Sequence, residues 1–216
     1  MNQTCACSPL TDDVGAYYGQ RLRLYGATPL GVDWSCVPTQ EMRFVQLLKL
    51  RDPGLRDYSL NDVGCGYGAL YSFLRRRNRS HQVDFMGTDL SAEQIAAATK
   101  RWRHRPFVNF RVARDAVRIA DYSVASGTFN VRLSTSAEAW EILIHESLAS
   151  MRQMSLKGFA VNFLSPPANP KLRIPELYYA SPEQWAAHCE EHFKVTAEIV
   201  SGYGLKEYTL LMRCGT

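Results

Sequence analysis

No apolar run in this 216-residue chain approaches the ~20 residues that a membrane-spanning helix needs. The first ten residues, M-N-Q-T-C-A-C-S-P-L, lack the basic-then-apolar layout of a secretory leader. A cytoplasmic protein with no membrane partner is therefore expected. Cysteine is thinly spread at positions 5, 7, 36, 65, 189 and 214, with no zinc-type double pair. In a reducing compartment these thiols stay reduced. Charge is nearly balanced at +4. Arginines gather at 75, 76, 77 and 79 and at 101, 103 and 105, near the ends of helix candidates, where cations meet the helix dipole favourably. A nucleic-acid groove would want aromatic residues interleaved with a larger positive excess, so no nucleic-acid partner is expected. There is no internal repeat and no low-complexity segment. With 46% hydrophobic and 21% charged residues, the chain can bury a full core as one domain.

What the chain does have is concentrated at Tyr58 to Tyr71, Y-S-L-N-D-V-G-C-G-Y-G-A-L-Y. An extended apolar run ends in Asp62 and passes through Gly64, Gly66 and Gly68 into a helix-like segment. Glycines allow the sharp turn and the close approach of backbone to a ligand that such a loop requires. About twenty residues on, Asp89 closes the next strand-like run, Q-V-D-F-M-G-T-D, where an acid can accept hydrogen bonds from both hydroxyls of a ribose. A third acid, Asp115, follows the run F-V-N-F-R-V-A and could accept the amino group of an adenine. The plainer alternatives are a helix start at Asp89-Leu90-Ser91 and a turn at Asp115.

The motif D-V-G-C-G-Y-G resembles the first motif of the class I S-adenosylmethionine-dependent methyltransferases, an acid followed by G-x-G-x-G. The resemblance extends over nearly the whole chain in the order of strands and helices. It implies a Rossmann-like sheet of seven mostly parallel strands with the last antiparallel, and S-adenosylmethionine as co-substrate. Asp62 and the glycines would surround the methionine end, Asp89 the ribose and Asp115 the adenine. Gly64, Gly66 and Ala69 also satisfy a loose nicotinamide-type G-x-G-x-x-A. The acid before the loop, the third acid and the C-terminal strand pair disfavour that rival.

Periodicity predicts a helix over 12–25 capped by Asp12 or Asp13, a turn-rich stretch over 26–35, and a helix from Pro38 with Phe44, Leu47 and Leu48 on one face. Residues 1–55 thus precede the first strand, and the resemblance implies that such an extension folds over the cofactor as a lid on the domain at 56–216. Strands are expected at 58–63, 82–88, 107–112, 119–126, 157–164, 194–200 and 206–213. Helices are expected at 68–77, 91–102, 135–153 and 182–192. This alternation indicates a parallel α/β sheet. Ser201 to Leu205 is too short for a parallel crossover, so the last two strands must pair antiparallel.

In open α/β sheets the ligand lies beyond the carboxyl ends of the strands. The fourth strand ends in V-A-S-G-T-F-N-V-R, which brings Ser126 and Asn130 to that edge. Asn130 is either a group that orients an amine or carboxylate, or a turn-forming residue. The N-P-P-Y signature of adenine- and amide-methylating enzymes is absent there. The proline-rich loop 165–175 is a candidate substrate wall. Tyr178 and Tyr179 beyond it, with Tyr17, Tyr18 and Trp34 from the lid, are candidates to surround a cation through their ring faces. The alternative is that half of these rings are ordinary core, since adjacent residues of a helix cannot both face one way. His145 is a candidate general base or a structural residue. His188 and His192, in H-C-E-E-H, lack the glutamate placement of zinc hydrolases, and no metal is expected.

Three functions remain open on the sequence. The first is methyl transfer to a small molecule in bacterial-type specialised metabolism. The second is cyclisation of S-adenosylmethionine, in which its amino group attacks its own γ-carbon to give azetidine-2-carboxylate and methylthioadenosine. The chain resembles azetidine-2-carboxylate synthases in size and aromatic lid, and Asn130 with Tyr178 or Tyr179 would then hold the amine. The third is a non-catalytic binding protein, which the three acids disfavour.

Overall fold

The structure, a computed structural model, describes residues 9–77 and 82–215; most of the expected N-terminal tail, Cys5, Cys7 and Arg79 lie outside them. Seven strands form one sheet: β1 Tyr58–Val63, β2 Val83–Asp89, β3 Val108–Val112, β4 Ala120–Ala125, β5 Ser155–Leu164, β6 Val195–Val200 and β7 Glu207–Cys214. Their order is β3-β2-β1-β4-β5-β7-β6. Strands β1 to β5 run parallel, and β7 is antiparallel to both β5 and β6. This is the Rossmann-like class I methyltransferase arrangement. The reversal of β7 has a consequence for the site, because its first residue, Glu207, lies at the edge where β5 ends.

Six helices flank the sheet: α1 Pro9–Tyr25, α2 Val37–Leu47, α3 Ala69–Arg77, α4 Ala92–Trp102, α5 Ala137–Gln153 and α6 Pro182–Phe193. Helix α1 begins three residues before the expected start. Proline is tolerated in a first turn, where the missing N–H would have no partner. Asp12 therefore lies in the first turn, beside the positive end of the helix dipole, and does not cap it. Where serine precedes a helix the cap forms: Ser91, Ser136 and Ser181 each accept a backbone N–H of the first turn.

Period-two alternation divides the core between the two faces. On one, Phe44, Leu47, Leu70 and Phe73 of α2 and α3 pack against Leu60, Tyr122, Val124, Ala160 and Leu211. On the other, Trp140, Ile144, Trp185 and Phe193 of α5 and α6 cover Val63, Phe159, Val161, Phe163 and Leu210. Val14 and Tyr18 of α1, with Val32 and Trp34, face the carboxyl ends of β1, β2 and β4. Gly15 of α1 lies against the Leu90 backbone, where a Cβ would come within 3.1 Å of the carbonyl oxygen. Gln94 of α4 holds the segment before β1 by donating to the carbonyls of Tyr18 at 3.1 Å and Gly31 at 2.9 Å. Among the described residues no helix is long and apolar enough to cross a membrane.

Candidate functional site

A cavity opens at the carboxyl ends of β1, β2 and β4. Its floor is Asp62 with Gly64, Cys65 and Gly66 after β1, Asp89 with Leu90 at the end of β2, and Ser126 to Phe129 after β4. Its roof is Tyr18 and Val14 of α1 with Val32 and Trp34. Two glycines are required by that roof. At Gly66, φ is +52° and a Cβ would lie 2.8 Å from a Val32 methyl. At Gly127, φ is +69° and a Cβ would lie 2.2 Å from an edge carbon of the Trp34 ring. Both positions exclude any larger residue while the roof is down.

The two floor acids are fully enclosed. Burial raises the Asp62 carboxyl well above the ordinary range, and the nearby Asp89 adds to it. Burial also raises Asp89, while the backbone N–H groups of Ser91, Gly66 and Leu90 draw it back. Its Oδ2 accepts from Gly66 N at 2.8 Å and its Oδ1 from Ser91 N at 2.9 Å. The carboxylate keeps acceptor capacity for a ligand. Burial pushes the Cys65 thiol up as well, with Asp89 and Asp62 contributing, so it is a small neutral wall residue. Ser126 Oγ and Gln94 Oε1 line the cavity, are buried, and have no hydrogen-bond partner among the described residues. Buried polar atoms in that state favour a ligand that satisfies them. The cavity therefore suits a molecule carrying positive charge at Asp62 and hydroxyl donors at Asp89.

Other expected site residues lie elsewhere. Asp115 lines an adjoining cleft with Leu90, Ala113 and Ala116, and the two spaces meet at Thr11, Leu90 and Arg114. Its carboxylate accepts from Ser147 Oγ at 2.7 Å and Arg114 Nε at 2.8 Å. Gly68 lies behind the loop, against Trp102 and Phe110. Tyr17 turns away from the cavity that Tyr18 lines. Its hydroxyl donates to Asp33 at 2.5 Å, and burial with that partner pushes it up to about 12. Asn130 is buried beside Gly127, and neither polar atom of its amide has a hydrogen-bond partner among the described residues.

Tyr178 and Tyr179 correct the expectation that they border the cavity. The Tyr178 ring belongs to the core under α5 and α6, with its hydroxyl accepting from Trp185 Nε1 at 2.9 Å and donating to Glu141 at 3.0 Å. The Tyr179 hydroxyl accepts from Ile174 N at 3.2 Å. The loop 165–175 likewise contributes nothing to the cavity lining. His145 faces α6, its Nδ1 2.7 Å from His188 Nε2, and does not reach the cavity. Burial and the two neighbouring imidazoles lower His188. Among the described residues no group of three or more His, Cys, Asp or Glu is arranged to hold a metal ion. Sequence reasoning missed Arg114, Gln40, Gln94, Tyr67 and Trp140, all of which line the cavity. The only local signal was Arg114, adjacent to Asp115 in R-D-A.

Comparison with known proteins agrees with this geometry. Residues 61–156, from β1 to the start of β5, match the family described as a methyltransferase domain. A Mycobacterium tuberculosis protein named "Putative methyltransferase Rv1506c" is 36% identical over 169 residues, which is 78% of this chain and 98% of that protein. Among solved structures, the N-methyltransferase NodS from Bradyrhizobium japonicum, complexed with S-adenosylhomocysteine, superposes with a TM-score of 0.68 at 15% identity over 94% of this chain and 98% of NodS. Magnesium protoporphyrin IX methyltransferase from Synechocystis, with bound S-adenosylmethionine, gives 0.66 at 14% identity over 98% of this chain and all of the other. The two structures share the fold, the relative shares sequence through most of both chains, and together they place this chain in the class I S-adenosylmethionine-dependent methyltransferases.

Proposed function

We propose that this chain transfers the methyl group of S-adenosylmethionine to a small molecule, in a reaction of bacterial-type specialised metabolism. The observation that carries the reading is the pair of enclosed acids on the floor of a largely apolar cavity. Asp62 accepts the ammonium of the methionine end, the glycine loop gives its backbone room, and Asp89 accepts the ribose hydroxyls. Asp115, Ala116 and Leu90 border the cleft suited to the adenine, and Ser126 offers its unpartnered hydroxyl to the methionine end. Bound S-adenosylmethionine supplies a methyl group already activated by a sulfonium. The protein's part is to orient, desolvate and exclude water. The rings of Tyr18 and Trp34 favour a cation beneath them by about 1–2 kcal/mol when water is excluded. Residues 1–55 act as a lid in this reading.

The cyclase reading loses Tyr178 and Tyr179 as cation-facing rings. It retains Asn130, whose buried and unpartnered amide suits an amine held close to the sulfonium. Incubating the pure protein with S-adenosylmethionine alone, with products identified by mass spectrometry, separates the two. Methyl transfer predicts cofactor that persists, with at most traces of S-adenosylhomocysteine. Methylthioadenosine together with a four-membered amino acid would establish the cyclase and overturn the methyl-transfer reading.

Binding is expected to release a proton. Burial and Asp89 keep the Asp62 carboxyl protonated to a higher pH than usual, and an ammonium against it restores the carboxylate. Between the ordinary aspartate range and the raised value, the free protein carries the proton and the complex does not. Affinity therefore rises with pH through that window and levels off above it. Calorimetry of S-adenosylhomocysteine binding at pH 5 to 6, in buffers of different ionisation enthalpy, measures the proton directly. An enthalpy independent of buffer would remove Asp62 from the ammonium site.

A further inference from the structure

A closed ring of contacts surrounds the end of β4, and three of its members, Asn162, Glu207 and Arg43, do not line the cavity. Gly127 N donates to Asn162 Oδ1 of β5 at 2.8 Å. Asn162 Nδ2 donates to Glu207 Oε2 of β7 at 2.8 Å. Arg43 of α2 forms a two-pronged ion pair with Glu207, Nε to Oε2 at 2.7 Å and NH2 to Oε1. The Arg43 guanidinium lies 3.6 Å from the centre of the Trp34 ring. Trp34 in turn rests on Gly127, which returns the ring to its start. Arg43, Glu207 and Asn162 are all buried.

We infer that Arg43 and Glu207 are positioning residues, which hold the Trp34 ring on the tip of β4 and so fix the wall of the cavity nearest the reacting group. The inference rests on the functional reading for what the cavity binds, but not for the existence of the ring. A guanidinium stacks well on an indole face and is held flat by a carboxylate that grips two of its nitrogens. The charge of Glu207 is shared between Arg43, which carries the roof, and Asn162, which holds the Gly127 backbone. Roof and floor are thereby registered to one carboxylate. Glu207 reaches this edge because β7 runs opposite to the strands around it. A parallel last strand would begin at the other end of the sheet.

The test compares the wild type, Glu207→Gln, and the double variant Arg43→Met/Glu207→Leu. The double variant guards against misreading a loss of folding, because replacing a whole buried ion pair by apolar groups of similar volume is often neutral or stabilising. In both variants, hydrogen exchange of amides at 29–44 is expected to accelerate at least about 10-fold, while β1, β4 and β5 keep their protection. The measurement needs no ligand. A second reading is the release of S-adenosylhomocysteine, expected at least about 10-fold faster with association nearly unchanged, since an opened wall shortens residence more than it slows entry. Unchanged exchange at 29–44, or an equal rise across every segment, would reduce the ring to ordinary packing and overturn the inference. A wild type that does not bind S-adenosylhomocysteine would instead overturn the functional reading, and the exchange arms would still decide the ring.

Discussion

Asp89→Ala is expected to weaken S-adenosylhomocysteine binding by roughly 100-fold, about 3 kcal/mol, through the loss of two charge-assisted hydrogen bonds to the ribose. The expectation rests on lone-pair accounting. The Asp89 carboxylate accepts backbone N–H groups from Gly66 and Ser91 and keeps acceptor capacity for the ribose. Alanine also releases those two N–H groups, so part of the loss comes from the glycine loop relaxing. Asp89→Asn separates the contributions, because the amide keeps one acceptor oxygen and is expected to retain an intermediate affinity. Calorimetry of the three proteins reads the order directly. Equal affinity in all three would show that the acid at the end of β2 does not hold the ligand.

Gly127→Ala is expected to lower the same affinity by roughly 10- to 100-fold, since the new Cβ must displace Trp34 from the roof. Two costs combine at this position, and a second glycine separates them. Gly202 has φ +74° with nothing within 4 Å of its Cβ direction, so Gly202→Ala carries only the left-handed backbone cost of about 1–2 kcal/mol in stability. Gly127 has a similar φ of +69° and so carries that cost too, with the overlap added. Thermal unfolding is expected to show a loss in both variants, whereas affinity falls in Gly127→Ala alone. Wild-type affinity in Gly127→Ala would mean that Trp34 has no part in closing the cavity.

How much of this was legible in the sequence depends on how local the determinant is. The glycine loop, the acid near the end of β1, the acid ending β2 and the short link before β7 are all set within a few residues. The residues before β1 were less legible, because their partners are distant in the chain. Gln94 reaches back to Gly31 and Tyr18, and Arg43 reaches forward to Glu207, separations that no periodicity reveals. The paired tyrosines show the limit most clearly. Tyr17 and Tyr18 divide as adjacent helical residues must, one to Asp33 and one to the cavity. Tyr178 lies in the core, where Trp185, seven residues on, and Glu141, 37 residues back, take up its hydroxyl. At the end of β3 the three-residue run R-D-A turns Arg114 to the cavity and Asp115 to the neighbouring cleft, a choice set by the contact with Ser147 on α5.

The central claim is that the two enclosed acids and the glycine loop form a site for S-adenosylmethionine and not for a nicotinamide dinucleotide. Titrating the wild-type protein with S-adenosylhomocysteine and, separately, with NADH tests it most directly. The account predicts one S-adenosylhomocysteine bound per chain with affinity that rises with pH, and no binding of NADH. Saturable NADH binding, or no binding of S-adenosylhomocysteine at any pH where the chain is folded, would contradict it.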